Sequence, residues 1–142
     1  VRPFQLSDQA AVVDLWRRCG LVRPWNDPDR DLATKLAERW EELLVADEGG
    51  AVVGTAMFGF DGHRGWVYYL AVEPDRQRSG VGRSLMNECE QRLKARGCPK
   101  INLMVRGDNQ AARGFYADLG YEPSDVVVLG KRLDADRSST SQ

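Results

Sequence analysis

Ten residues, Arg76-Gln77-Arg78-Ser79-Gly80-Val81-Gly82-Arg83-Ser84-Leu85, stand between an apolar run and a long helical pattern. Gly80 and Gly82 allow a tight turn and let a ligand approach the backbone, since no side chain stands in its path. The apolar spacing of a helix begins at Val81, so its positive end falls on the same turn. Backbone amides over residues 78–84 can therefore converge on oxygen atoms placed there. Arg76, Arg78 and Arg83 add positive charge locally. The chain thus has to provide a strand, an open turn and a helix in that order, with an anion as the natural occupant of the turn.

Two familiar anion cradles fail on named positions. A phosphate-binding loop of the nucleotide-hydrolysing kind needs glycine, four residues, then Gly-Lys-Ser or Gly-Lys-Thr. Here position 77 is glutamine, and Gly82 is followed by Arg83 and Ser84. No lysine can reach a terminal phosphate, and no carboxylate stands where magnesium would be held. The dinucleotide fingerprint needs a third small residue where this chain has Leu85. What suits the turn is a pyrophosphate that is held without a metal.

The 142 residues are expected to form a single domain over 1–133, large enough to bury roughly two-thirds of the unfolded surface without a staple. The net charge of -1 gives no general attraction to nucleic acid or membrane, and neither is expected as a partner. Cys19, Cys89 and Cys98 are odd in number and irregular in spacing, which argues against a disulfide framework or zinc site and for a cytoplasmic location. Cys89 falls on an apolar helix face and reads as a buried thiol. No leader pattern and no run of about 20 apolar residues is present, so a soluble chain is expected. It begins at Val1 and not methionine, and a residue or two is expected to precede it. The polar, Ser-rich stretch 134–142 is expected to be a disordered tail.

The remaining elements follow from periodicity. Val1 to Phe4 reads as a short strand. Ser7 or Asp8 caps a helix with Val12, Leu15, Trp16 and Cys19 on one face, stopped by Gly20. Asp27 caps a second, with Pro28 at its first position and Leu32, Leu36 and Trp40 spaced every fourth residue. Residues 43–46, 51–60 and 66–72 alternate as an antiparallel meander. A third helix runs from Val81 to its stop at Gly97, Ile101 to Val105 alternates as a strand, and Asn109 or Asp108 caps a fourth helix through Phe115 and Tyr116. Tyr121 and residues 126–129 read as final strand material. The fold class is mixed α/β, with a mostly antiparallel sheet of six to seven strands flanked by four helices.

Two sets of residues at family spacing carry a resemblance to the GNAT superfamily of N-acetyltransferases. Gln77, Gly80 and Gly82 match its Gln or Arg, two residues, Gly, one residue, Gly or Ala signature. Asn109, Ala111, Phe115-Tyr116 and Gly120-Tyr121 resemble its second motif. Leu70-Ala71-Val72, followed by Glu73-Pro74-Asp75, resembles the strand before the cradle. Residues 23–28 and 61–65 are further similar to small bacterial acetyltransferases of the YpeA type. The resemblance covers residues 1–133.

It implies that acetyl-CoA is the cosubstrate and that a primary amine of a small molecule, an amino acid or a protein is the acceptor. It implies that Gln77, Arg78, Ser79, Gly80, Val81, Gly82, Arg83 and Ser84 hold the coenzyme pyrophosphate, with Asn109 and Tyr116 also at the coenzyme. Leu70, Ala71 and Val72 would lie along the pantetheine arm, where splayed strands leave backbone donors free, and the amide of Leu70 or Val72 would meet the acetyl carbonyl. Tyr116 matches the general-acid position, able to protonate the departing thiolate. Where several family members carry a base glutamate, this chain has Trp66 and Met104. Tyr68, on the face of Trp66 by alternation, is a candidate for holding a proton-carrying water. Glu73 and His63 are weaker base candidates. Trp25 and Asn26 lie on the loop that in the family closes over the acceptor. No metal is implied, and a monomer or a homodimer is expected. The alternative is a non-catalytic acetyl-CoA-binding or regulatory module, motivated by the missing base glutamate.

Overall fold

A computed structural model describes residues 1–134, and the chain divides into two compact units, Val1–Leu103 and Met104–Gln142. Apart from Asp134, the expected polar tail lies outside the described residues.

The first unit is a five-stranded sheet of β1 (Arg2–Pro3), β2 (Leu43–Glu48), β3 (Ala51–Phe60), β4 (Gly65–Val72) and β5 (Ile101–Asn102), in that spatial order. The first four strands are antiparallel and β5 lies parallel to β4. Gly49 and Gly50 both adopt positive φ, 60° and 90°, as the tight turn from β2 to β3 requires.

The two faces of the sheet carry different helices. Helices α1 (Gln9–Arg18) and α2 (Pro28–Arg39) cover one face, where Val12, Leu15, Trp16 and Leu32 form a core with Leu43, Val45, Met57 and Ala71. Helix α3 (Val81–Ala95) covers the other, and Leu85, Met86, Cys89 and Leu93 are buried along it. Gly54 of β3 belongs to this second interface. A Cβ there would stand 2.8 Å from Val81 Cγ1 and 2.9 Å from Leu85 Cδ1, so its lack of a side chain lets the start of α3 close on the sheet.

Caps fall where side-chain chemistry places them, with one exception. The Asp27 carboxylate accepts from the amides of Asp29 and Arg30 at 3.1 and 3.2 Å. Asp8 instead turns back, accepting from the Gln5 amide at 2.8 Å and forming a two-pronged pair with Arg2. Its carboxylate thus closes a short 3-10 turn, Leu6–Asp8, and leaves α1 without a side-chain cap. Trp40 lies past the end of α2 and is half exposed, outside the every-fourth-residue row expected of it.

The second unit holds α4 (Gln110–Asp118), capped by Asn109, whose Oδ1 accepts from the Ala112 amide at 3.0 Å. Gly120, at φ 94°, ends it as expected. The strand count needs correction: the sheet has five strands among the described residues, not six to seven. Residues 121–134 form no strand, and Val126, Val127, Val128 and Leu129 are exposed. β-branched composition favours a strand only where a ladder partner exists, and among the described residues this unit contains none. The strand expected over Ile101 to Val105 is likewise reduced to Ile101–Asn102, because its ladder reaches β4 only at Gly65 and Trp66.

Candidate functional site

The turn before α3 follows the glycine pattern, with one backbone feature that glycine does not explain. Arg78 adopts φ 67° and Gly80 φ 92°, two left-handed residues on either side of Ser79. Such alternation folds successive amides into a concave nest, which favours an anion. Ser79 N–H donates to Arg76 O at 3.3 Å, and its hydroxyl donates to the same carbonyl. Helix α3 begins at Val81 with no side-chain cap, so no side chain takes its first-turn amides. Gln77, Arg78, Ser79, Gly80, Arg83 and Ser84 are exposed, while Val81 and Gly82 are buried against the sheet. Arg76 is turned aside, its Nε 2.7 Å from Glu48 Oε1, and serves to tether the turn to β2.

β4 leads into this cradle and carries the second feature of the site. The β3–β4 register pairs Met57 with Tyr68 but Thr55 with Ala71, so Ala56 faces two residues, Tyr69 and Leu70. This is a β-bulge, and Tyr69 sits in it at φ 52°. Glycine is the usual occupant of a left-handed bulge position, because a bulky side chain there costs about 1–3 kcal/mol of strain. Tyr69 is held by three sets of ties. Its ring stacks on Trp16 with centroids 4.0 Å apart. Its hydroxyl donates to Asp31 Oδ2 at 2.6 Å and accepts from Asn26 Nδ2 at 2.9 Å. Its carbonyl accepts from the buried Thr55 hydroxyl at 2.9 Å, which in turn accepts from Trp16 Nε1 at 2.9 Å. Burial first, then the Asp31 carboxylate, raises the Tyr69 phenol well above its ordinary pKa, so it remains a neutral hydrogen-bonding group.

The bulge alters which groups β4 presents. Glu73 N–H donates to Val53 O at 2.8 Å, so the alternation of the strand turns the Val72 amide toward the opposite edge. On that edge β5 pairs only as far as Trp66. The Val72 amide thus turns to an edge that β5 does not reach, while Ala71 stays paired with Thr55 beside β3.

The other predicted residues are distributed as follows. Tyr68 lies on the α1/α2 face with Trp66, as alternation requires, and is 45% exposed. Burial, with a smaller contribution from Asp61, raises its pKa. Glu73 forms an ion pair with Arg18, which also pairs with Asp14, so its carboxylate is engaged in a contact between the end of β4 and α1. His63 is exposed on a turn organised by Asp61, whose Oδ1 accepts from the amides of His63 and Arg64. Asn26 accepts from Arg23 N–H and donates to Leu21 O as well as to Tyr69, so its amide organises its own loop. Trp25, beside it, is half-buried. Tyr116 and Asn109 belong to the second unit, where Tyr116 meets the rings of Phe115 and Tyr121 edge-on at 5.0 and 5.8 Å. Cys89 is fully buried, and its thiol pKa is pushed up to about 12 by that burial. Among the described residues no cluster of three or more His, Cys, Asp or Glu could hold a metal, and no helix is long and apolar enough to cross a membrane.

Tyr69 and Asp31 escaped the sequence reading. Strict alternation treats Tyr68 and Tyr69 as opposite-facing neighbours, and nothing in the local composition marks an inserted residue. The one available signal is the adjacency of two tyrosines in the strand that precedes the cradle.

Residues 10–121 match the model of the acetyltransferase (GNAT) family. An acetyltransferase of Yersinia enterocolitica is 50% identical over 137 residues, covering 96% of this chain and 97% of its own. Among solved structures, the ribosomal-protein-S18-alanine N-acetyltransferase of Escherichia coli is similar with a TM-score of 0.72 and 25% identity, over 86% of this chain and 76% of that one. A predicted acetyltransferase of Clostridium acetobutylicum, solved with acetyl-CoA, has a TM-score of 0.72 at 19% identity, over 92% of this chain and 94% of that one. A family match over most of the length, joined to a relative with half of its residues identical, means that this chain belongs to the GNAT family of acetyltransferases.

Proposed function

We propose that this acetyltransferase takes acetyl-CoA as donor and transfers its acetyl group directly to a primary amine of a small molecule, an amino acid or a protein. The observation that carries the reading is the uncapped start of α3 beneath the left-handed pair Arg78 and Gly80. That nest suits a pyrophosphate held by backbone amides without a metal. Solved structures of the same fold include one with acetyl-CoA and another with a bisubstrate analogue built on coenzyme A.

Residues 77–84 hold the pyrophosphate, and Leu70, Ala71 and Val72 line the pantetheine arm; Asn109 is assigned to the coenzyme by its place in the family motif. Bound acetyl-CoA supplies a thioester carbonyl whose oxygen gains negative charge as the amine adds. The amide of Leu70 or Val72, fixed at the bulge, donates to that oxygen, where a preorganised donor contributes most. The C–N bond forms, the C–S bond breaks, and Tyr116 gives its phenolic proton to the departing sulfur, a role assigned by its place in the family motif. The amine proton leaves through a water held by Tyr68. Glu73 is the weaker candidate for this step, being paired with Arg18. Trp25 packs against the acceptor, and Asn26 shapes the loop that carries it. The protein works in the cytoplasm as a monomer or homodimer.

Thiol release from acetyl-CoA across an amine panel tests the reading. Turnover with at least one amine is expected. Binding of acetyl-CoA without turnover on any amine would favour a binding module, the reading motivated by the absence of a base glutamate.

A further inference from the structure

We propose that the Tyr69 side chain is a positioning residue that ties the acceptor-side loop to the β4 bulge and so sets the direction of the Leu70 and Val72 amides. The inference rests on the acetyl-transfer reading above, since that reading gives those amides their task.

The backbone of Tyr69 carries a cost. A tyrosine at φ 52° in a bulge is strained where glycine would not be, so the side chain must contribute something that glycine cannot. What it contributes is a bridge. The hydroxyl joins Asn26, in the loop between α1 and α2, to Asp31, in the first turn of α2. Asn26 in turn closes its own loop through Leu21 O and the Arg23 amide. The other end of Tyr69 is anchored in the core, where the Trp16 indole and the Thr55 hydroxyl form a relay that ends on the Tyr69 carbonyl. The phenol therefore carries any displacement of residues 21–31 to the peptide that precedes Leu70. An ordinary strand position could not do so, because a residue at β φ directs its carbonyl along the plane of the sheet and not onto a core hydroxyl. The consequence is that acceptor engagement at the loop and donor alignment at the bulge are linked through one hydroxyl group.

Tyr69→Phe removes the bridge while keeping the ring on Trp16, and Asn26→Ala and Asp31→Asn each remove one partner. In thiol-release kinetics with the best amine, Tyr69→Phe is expected to lower kcat about tenfold or more while the KM for acetyl-CoA changes by less than about twofold. Asp31→Asn should cost a similar factor in the wild-type background and little in the Tyr69→Phe background, the mark of a shared pathway. A purely structural role would lower the melting temperature without that split. A second readout needs no turnover. The difference in Leu70 and Val72 amide chemical shifts between acetyl-CoA and free coenzyme A should be present in the wild type and diminished in Tyr69→Phe, or in Asn26→Ala if the former does not fold. An unchanged shift difference, the absence of any difference in the wild type, or kcat within about twofold of wild type overturns the proposal. If the wild type turns over no amine yet the shift difference depends on Tyr69, the positioning role stands and the enzymatic reading fails.

Discussion

A phenol serves as an acid toward a leaving thiolate only when its proton can be shared with sulfur, and at Tyr116 this rests on a single hydroxyl. Tyr116→Phe keeps the ring and its edge-on neighbours, Phe115 and Tyr121. Its expected effect is a fall in kcat of about 100-fold, within the usual range for a lost general acid, with acetyl-CoA affinity by calorimetry nearly unchanged. Asp8 makes the contrasting case of a residue with a purely structural task. Arg2 holds its carboxyl below the ordinary value, against the opposing effect of burial. Asp8→Asn is expected to lower stability by about 1–3 kcal/mol at pH 7, measured by urea unfolding. Because the folded pKa is lowered, that advantage of the wild type is full above about pH 4 and narrows as pH falls through the folded value.

At the scale of elements, the approach of α3 to β3 decides how the cradle meets the sheet. Gly54→Ala would push a Cβ against Val81 and Leu85 from one side, with the Ala71 carbonyl 3.1 Å away and unable to retreat. The expected cost is about 1–3 kcal/mol in stability. Because Val81 opens the helix whose first turn forms the cradle, acetyl-CoA affinity should fall as well. Gly54→Ala with full stability and affinity would mean that the contact between strand and helix start is slack. The bulge acts at the same scale. One inserted residue changes the parity of β4, so Ala71 shares the face of Tyr68, which simple alternation would forbid.

For the molecule as a whole, the two helical layers of the first unit are joined at one end through Glu42. Its nearly buried carboxylate receives Lys35 Nζ from α2 at 2.6 Å and the guanidinium of Arg96, just past α3. The group thus reaches elements that pack on opposite faces of the sheet. Glu42→Gln leaves three cations, Lys35, Arg96 and Arg39, facing a neutral amide and is expected to destabilise the protein by about 2–4 kcal/mol, a loss smaller than for a fully buried pair because Arg96 and Arg39 are partly exposed. Acetyl-CoA at about 100 times its dissociation constant should stabilise the folded chain by about 2.7 kcal/mol, seen as a rise of several degrees in melting temperature. No rise would contradict the coenzyme assignment.

Local chemistry determined much of this protein from the sequence alone. The cradle, the caps at Asp27 and Asn109, the stops at Gly20, Gly97 and Gly120 and the burial of Cys89 depend on residues close in sequence or on simple periodicity. The two family motifs depend on spacing, which is also sequential. Tertiary structure alone decided what required a distant partner. Residues 126–129 have strand composition but form no strand among the described residues, because a strand exists only by pairing. The Asp8 carboxylate turned from capping α1 to Arg2, the Glu73 carboxylate went to Arg18, and the left-handed Tyr69 found Trp16, Asn26 and Asp31 far along the chain. A bulge is an offset between two strands, so β4 read separately offers no more than the adjacency of two tyrosines.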